Sequence, residues 1–203
     1  MSLMRAFDIV LSFILLLVTS PILLVFCFFV YVSDFNSPIY VSIRIGINNK
    51  PFKIFKLRSM IVNADQVGPE TTKSTDERIT KIGSLIRKYK LDELTQLYNV
   101  LIGDMSLVGP RPNTPLEVAK YNDAELNLLS ATPGITDFAS IIFSDEGEIL
   151  KNSVDPVSDY DKYIRPWKQK FGQLYLDNKS LTIYLYLCII TFISIFANQS
   201  PVI

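Results

Sequence analysis

Leu91-Asp92-Glu93-Leu94-Thr95-Gln96-Leu97, closed by Gly103-Asp104-Met105-Ser106-Leu107-Val108-Gly109-Pro110-Arg111-Pro112, is the stretch on which the reading of this chain turns. Leu91, Leu94, Leu97 and Leu101 recur at helical spacing, which predicts a helix starting near Asp92 and stopping by Gly103. Adjacent carboxylates in a first helical turn have an ordinary explanation, since they meet free backbone N–H groups and the positive end of the helix dipole. Taken alone, that explanation is the stronger one. The neighbours shift the balance. Arg87 precedes the pair across a joint expected at Tyr89-Lys90, and Arg111 sits between Pro110 and Pro112, in a turn with few conformations. Arginines bind phosphate oxyanions bidentately, Mg²⁺ bridges carboxylate and phosphate oxygens, and an aspartate kept ionised by a helix start can attack phosphorus.

Upstream, Ile39 to Ile45 and Pro51 to Arg58 alternate in polarity around the turn-like Gly46 to Lys50, so a β-hairpin is predicted with Lys53 and Arg58 near its far end. Lys56 stands apart from the apolar face of Ile54, and a surface lysine is its plain reading. Asp76 is placed to cap a helix running through Ile79, Ile82, Leu85 and Ile86. Downstream, Thr132-Pro133-Gly134-Ile135 reads as a turn, Phe138 to Phe143 as a short apolar run, and Tyr160 to Leu176 as a helix bent at Pro166. The fold class is α+β: a mostly helical, membrane-associated core with a small hairpin.

Composition narrows the chemistry. The 203 residues carry 20 Lys plus Arg against 20 Asp plus Glu, so net charge gives no hint of a nucleic-acid partner. Histidine is absent, which removes imidazole bases and the usual zinc sites. An enzyme built from this chain works with carboxylates, lysine, arginine, tyrosine or a hard metal. Cys27 and Cys188 both lie in apolar stretches, so no disulfide framework is expected.

Those stretches are Ile9 to Val32 and Leu181 to Ala197. The first reaches about 36 Å as a helix, against roughly 30 Å of hydrocarbon in a bilayer. Thr19-Ser20-Pro21 falls near its middle. Either a single spanning helix is kinked there, or a re-entrant helix–break–helix dips into one leaflet and returns; the residues alone favour the kinked span. Arg5 and Arg44 weakly favour one cytoplasmic side for both ends. The second stretch fits a short span, a helix lying on the membrane or one packed on the core equally well.

Ser20-Pro21 within the apolar segment, Lys56-Leu57-Arg58-Ser59-Met60, Leu91-Asp92-Glu93-Leu94 and Gly103 to Pro112, in that order from about Arg5 to Ile135, resemble the bacterial monotopic phosphoglycosyl transferases, in their minimal form without an additional four-helix membrane domain. The resemblance implies transfer of a sugar 1-phosphate from a UDP-sugar to undecaprenyl or another polyprenyl phosphate. The reaction would begin glycan assembly on the cytoplasmic face of the bacterial inner membrane. Asp92 would attack the sugar-linked phosphate and release UMP, and Glu93 would position Mg²⁺ or assist the acceptor. Asp92 and Glu93 are the implied metal ligands. Lys56 falls near the active site, Arg87 and Arg111 face phosphate, and Arg58 is a further phosphate-binding candidate. It also makes the re-entrant reading of Ser20-Pro21 the better one, giving a re-entrant helix over 1–33, a cytoplasmic core over 34–180 and an apolar membrane-associated helix over 181–203. Membrane lipids, a second copy of the chain and downstream glycosyltransferases are further implied partners.

The likeness weakens after Ile135. Thr136-Asp137-Phe138-Ala139-Ser140 replaces a Gly-Trp-Ala-Gln run, and Ser144-Asp145-Glu146-Gly147 replaces an Asn-Gly-Arg turn, leaving Arg165 as the candidate for the missing arginine. Two other functions compete: a non-enzymatic membrane scaffold for glycan assembly, and a metal-dependent lipid-phosphate hydrolase.

Overall fold

The computed structural model describes residues 2–69 and 71–197. It begins with helix α1, Leu3–Asp34, whose N-cap Ser2 accepts from the Arg5 N–H and whose end is turned by Phe35 in the left-handed region. The buried residues of α1, Asp8, Ser12, Leu23 and Val30, fall within an arc of about 60° at 100° per residue. Val10, Phe13, Leu17, Leu24 and Phe28 occupy the opposite face and are all more than half exposed. One side of α1 therefore lies on the core and the other is an uncovered apolar stripe. Both ends are tied down. Arg5 donates to Val100 O and Leu101 O at 2.5 and 2.9 Å, and Asp34 is ion-paired to Arg58.

The expected break at Ser20-Pro21 does not divide α1 into two helices. Pro21 offers no N–H to Leu17 O, but the Ser20 hydroxyl donates to that carbonyl at 2.9 Å, and Thr19 Oγ1 donates to Leu15 O at 2.7 Å. The hydroxyls take up backbone acceptors next to the proline, so the helical path continues through it.

The predicted hairpin is present. Strands β1, Ile39–Ile45, and β2, Pro51–Leu57, pair antiparallel with Ile39 opposite Leu57 and Ile45 opposite Pro51. Helix α2, Lys81–Lys88, follows, and its N-cap is Thr80, whose hydroxyl accepts from Gly83 N at 2.9 Å. Asp76 does not cap it, because both its carboxylate oxygens are engaged by Arg78. Next come the single turn α3, Leu91–Leu94, and α4, Leu97–Ile102. Thr95 and Gln96 between them keep helical backbone angles, so the two form one tightened path rather than the uniform helix expected. Gly103, at φ +98°, ends α4 in the conformation a side chain resists.

A second sheet was not legible in the sequence. Strand β3, Ser106–Val108, pairs in parallel with β4, Gly134–Thr136. The segment read as a turn carries a strand because two glycines allow the backbones to touch: a Cβ on Gly134 would stand 2.0 Å from Gly109 N. Helix α5, Phe138–Ile142, is followed by α6, Arg165–Asp177. The bend expected at Pro166 is one wide helical turn, Tyr160–Ile164, just before it.

Helix α7, Leu181–Ala197, is the second apolar stretch; residues 198–203 of that predicted segment lie outside the described residues. Tyr184 and Leu187 are almost fully buried, whereas Tyr186, Ile189, Phe192 and Ile193 are exposed, so α7 packs on the core by one face. The buried Asp8 carboxylate joins α1, β3 and α7, accepting from Ser106 Oγ, Leu107 N and Tyr184 Oη at 3.0, 2.8 and 2.7 Å. Bonds to a charged acceptor contribute about 1.5–3 kcal/mol each, which makes this a principal clasp of the fold. Ile54, Leu97, Val100, Met105 and Tyr175 form the main core beside it, and Leu23 and Val30 of α1 close a second cluster with Leu57, Ile86 and Leu91.

Candidate active site

The site is assembled on the outer edge of β2. β1 covers one edge of that strand, and the other would be left unpaired without side chains from the α3–α4 path. Asn99 accepts from Phe55 N at 3.2 Å and donates to Lys53 O at 2.6 Å, while Thr95 Oγ1 donates to Phe55 O at 2.8 Å. These bonds hold the first turn of α3 alongside the end of β2. Lys56 follows the two-residue strand period and therefore lies on the same face as Ile54. That corrects its reading as a lysine apart from that face: Ile54 points into the core, and Lys56, one step further, reaches the carboxylates.

Lys90, with φ 54°, makes the joint expected at Tyr89-Lys90 and turns the chain from α2 into α3. The turn brings Asp92 and Glu93 within reach of Lys56 and Arg111, whose charges act on both, and Asp92 within reach of Arg87 as well. The two carboxylates differ. Glu93 Oε1 is ion-paired with Arg111, whereas the Asp92 carboxylate makes no hydrogen bond or ion pair among the described residues, its backbone carbonyl alone accepting from Thr95 Oγ1 at 3.2 Å. Burial alone would raise both acids. The Arg111 guanidinium, with Lys56, holds Glu93 down at about 2. Asp92 is raised above the usual carboxylate range by burial first and by the charge of Glu93 second, against the pull of Lys56, Arg87 and Arg111. Burial and the Glu93 charge thus work against the helix start that the sequence offered as keeping Asp92 ionised, and the surrounding cations work with it.

Lys56 is brought down to about 8, chiefly by burial and then by Arg111, with Glu93 and Asp92 acting the other way. Arg87 is steadied by its Nε bond to Ser59 Oγ at 2.9 Å. Arg58 is not brought to the site. Its guanidinium makes a two-pronged bond to Asp34 at 2.5 and 2.7 Å and donates to Ser37 O at 2.8 Å, so it fastens the end of α1 to the hairpin. Arg165 does not stand in for the missing arginine either: it is engaged by Glu125 at 2.6 Å and by Asp161. The cation found on that side is Lys168, ion-paired with Glu146, and both interact electrostatically with Arg111. No motif marks these two residues, which come from opposite ends of a long excursion. Asp137, where the likeness breaks, accepts from Ser140 N and caps α5.

No group of three or more potential metal-ligating side chains occurs among the described residues. Asp92 and the free oxygen of Glu93 nevertheless offer two hard donors. That donor set suits Mg²⁺, which is commonly held by one or two carboxylates with the substrate's phosphates completing its shell.

The family model described as bacterial sugar transferase matches residues 1–198. The chain belongs to the bacterial sugar transferase family. Among members of this family, it is similar to the UDP-glucose:undecaprenyl-phosphate glucose-1-phosphate transferase of Escherichia coli, at 37% identity over 172 residues, covering 82% of this chain and 37% of that protein. It is also similar to the undecaprenyl-phosphate galactose phosphotransferase of Salmonella typhimurium, at 40% identity over 147 residues, covering 65% of this chain and 31% of that one. The exopolysaccharide production protein ExoY of Sinorhizobium fredii is 38% identical over 147 residues, 65% of either chain. The chain spans less than two thirds of the length of each of these three curated relatives.

Proposed function

We propose that this sugar transferase moves a sugar 1-phosphate from a UDP-sugar to undecaprenyl phosphate through a phosphosugar carried on Asp92. The observation that carries this reading is the difference between the carboxylates: Glu93 is clasped by Arg111, while the Asp92 carboxylate has no bond among the described residues and faces three cations. Unbonded carboxylate oxygens beside phosphate-binding groups suit nucleophilic attack on phosphorus. The named activities of the E. coli and Salmonella relatives support the donor and acceptor classes.

In the first step an Asp92 oxygen forms a bond to the sugar-bearing phosphorus. The bond from that phosphorus to the bridging oxygen breaks, and UMP leaves with the electron pair. In the second step an oxygen of the lipid phosphate attacks the same phosphorus, the bond to Asp92 breaks, and the polyprenyl diphosphate sugar departs. Lys56 and Arg111 offset charge on the transferred group, and Arg87 approaches from the α2 side. Asp92 and Glu93 would hold Mg²⁺, which supplies charge neutralisation at the phosphates.

The reading extends to the membrane. The apolar stripe of α1 and the exposed face of α7 would meet lipid, with the core on the cytoplasmic face of the inner membrane. Both ends of α1 are tied to one core, which suits a helix held at one face of the bilayer rather than one that crosses it. UMP release from a panel of UDP-sugars, with undecaprenyl phosphate and Mg²⁺, tests the proposal. Lipid-dependent release that vanishes in Asp92→Asn is expected. Equal turnover in both proteins would remove Asp92 as nucleophile, and lipid-phosphate hydrolysis without a nucleotide sugar would favour a hydrolase.

A further inference from the structure

Gln96 takes no part in the chemistry above, yet it is the least ordinary polar side chain near it. It is 2% exposed, and its Nε2 is the one buried side-chain nitrogen or oxygen among the described residues with no hydrogen-bond partner. A buried donor left unpaired is destabilising, so its presence calls for an explanation.

Its position supplies one. Gln96 has helical backbone angles, φ −67° and ψ −17°, and follows Asp92 by four residues. The Gln96 N–H bonds Glu93 O at 3.0 Å, three residues back, so the turn is tighter than an α-helix; Gln96 and Asp92 share one side of the path without stacking directly, and helical side chains lean towards the N-terminus. Gln96 therefore leans back over the turn that bears Asp92. An amide and a carboxylate at this spacing ordinarily bond each other. Here neither does, and the other polar residues of this face, Thr95 and Asn99, are already engaged by β2.

We infer that Gln96 is a phosphoryl-binding residue, its amide N–H donating to a non-bridging oxygen of the phosphoryl group that arrives on Asp92. A neutral donor suits this place. It stabilises charge on the non-bridging oxygens while holding the Asp92 carboxylate less strongly than a further cation would. The inference rests on the transferase reading and deepens it by naming the group that meets the transferred phosphoryl from the helix side.

The test uses the full chain in detergent, comparing wild type with Gln96→Met, which keeps length and removes the amide. Three readouts are taken: the melting temperature, kcat for UMP release, and the affinity for beryllofluoride with Mg²⁺, a mimic of a phosphoryl group on a carboxylate. Gln96→Met should melt no lower than wild type, because an unpaired buried donor has been removed. Its kcat should fall about 10²-fold, the order seen when one oxyanion donor is lost, and beryllofluoride should bind about 10-fold more weakly. Wild-type kcat or wild-type beryllofluoride affinity in the variant overturns the inference. A lowered melting temperature that accounts for the lost activity overturns it as well, by making Gln96 a packing residue. Failure of the transferase reading looks different: wild type would release no UMP with any donor, while the beryllofluoride comparison would still decide the role of Gln96.

Discussion

Arg111 pairs with Glu93 and leaves the carboxylate of Asp92, the neighbour of Glu93, without a bond among the described residues. One proline-flanked arginine thus sorts two adjacent carboxylates into different roles. Glu93 is fixed in place and ionised, and Asp92 is left free to react. Arg111→Lys keeps the charge but loses the planar fork, so Glu93 becomes mobile. Activity should fall about 10–10²-fold. Glu93→Gln should cost about 1–2 kcal/mol of stability, a figure held down by the partial exposure of Arg111. Steady-state UMP release and denaturant unfolding check the two effects.

The pH profile follows from Asp92 and Lys56. Asp92 titrates above the ordinary carboxylate range, so attack should weaken on the acid side earlier than a normal aspartate allows. Lys56 is held at about 8, so its positive charge fades above that pH and activity should fall there. The sign for stability is the reverse of a salt bridge. The folded state binds the Lys56 proton less well than the unfolded chain, so this residue's contribution to stability rises with pH between about 8 and 10.5. Lys56→Arg should carry the alkaline limb of the rate profile upward; an unmoved limb would show that another group sets it.

Asn99 is fully buried and holds both Phe55 N and Lys53 O. Asn99→Leu leaves two backbone groups of β2 unpaired and should destabilise the fold by about 2–4 kcal/mol. Because Lys56 and Asp92 are placed by the same edge, surviving protein should also lose turnover, read as a lower kcat in material confirmed as folded by circular dichroism.

Arg58→Gln separates the phosphate-binding expectation from the structural finding. Its loss should lower Tm by about 2–4 °C and leave the KM for the UDP-sugar near that of wild type. A large rise in KM with an unchanged Tm would return Arg58 to the phosphate site.

On the outer face of α1, Leu17→Lys with Leu24→Lys places two charges on the uncovered apolar stripe without touching the core. Charges at such depth in lipid are costly, roughly 2.5–3.5 kcal/mol each on insertion scales. The variant should shift from the membrane pellet to the soluble fraction at unchanged helical content, as followed by vesicle flotation.

Several parts of this molecule were legible from local pattern. Alternation between Ile39 and Leu57 marked the hairpin, leucine spacing marked the helix after Tyr89-Lys90, and the absence of histidine directed attention to carboxylates. Each of these depends on residues near one another in sequence, where period and turn chemistry act directly. The resemblance assigns Asp92, Glu93, Lys56, Arg87 and Arg111 to one site, and the structure brings these five side chains near one another.

What the tertiary structure alone decided depends on which partner each side chain meets. Arg58 reads as a phosphate ligand until Asp34, at the end of α1 and beside the open end of the hairpin, consumes it. Arg165 is lost to Glu125 in the same way, and Lys168 appears beside Arg111 with no motif to announce it. The β3–β4 pair depends on two glycines, 25 residues apart, whose backbones touch. Ser20-Pro21 reads as a break until the adjacent hydroxyls are seen to satisfy the helix. The kinds of chemical group present and most local conformations are readable along the chain, because they depend on neighbours in sequence. Only the folded structure decided which charges are neutralised and which stay free, because burial and ion pairing depend on residues that approach through space.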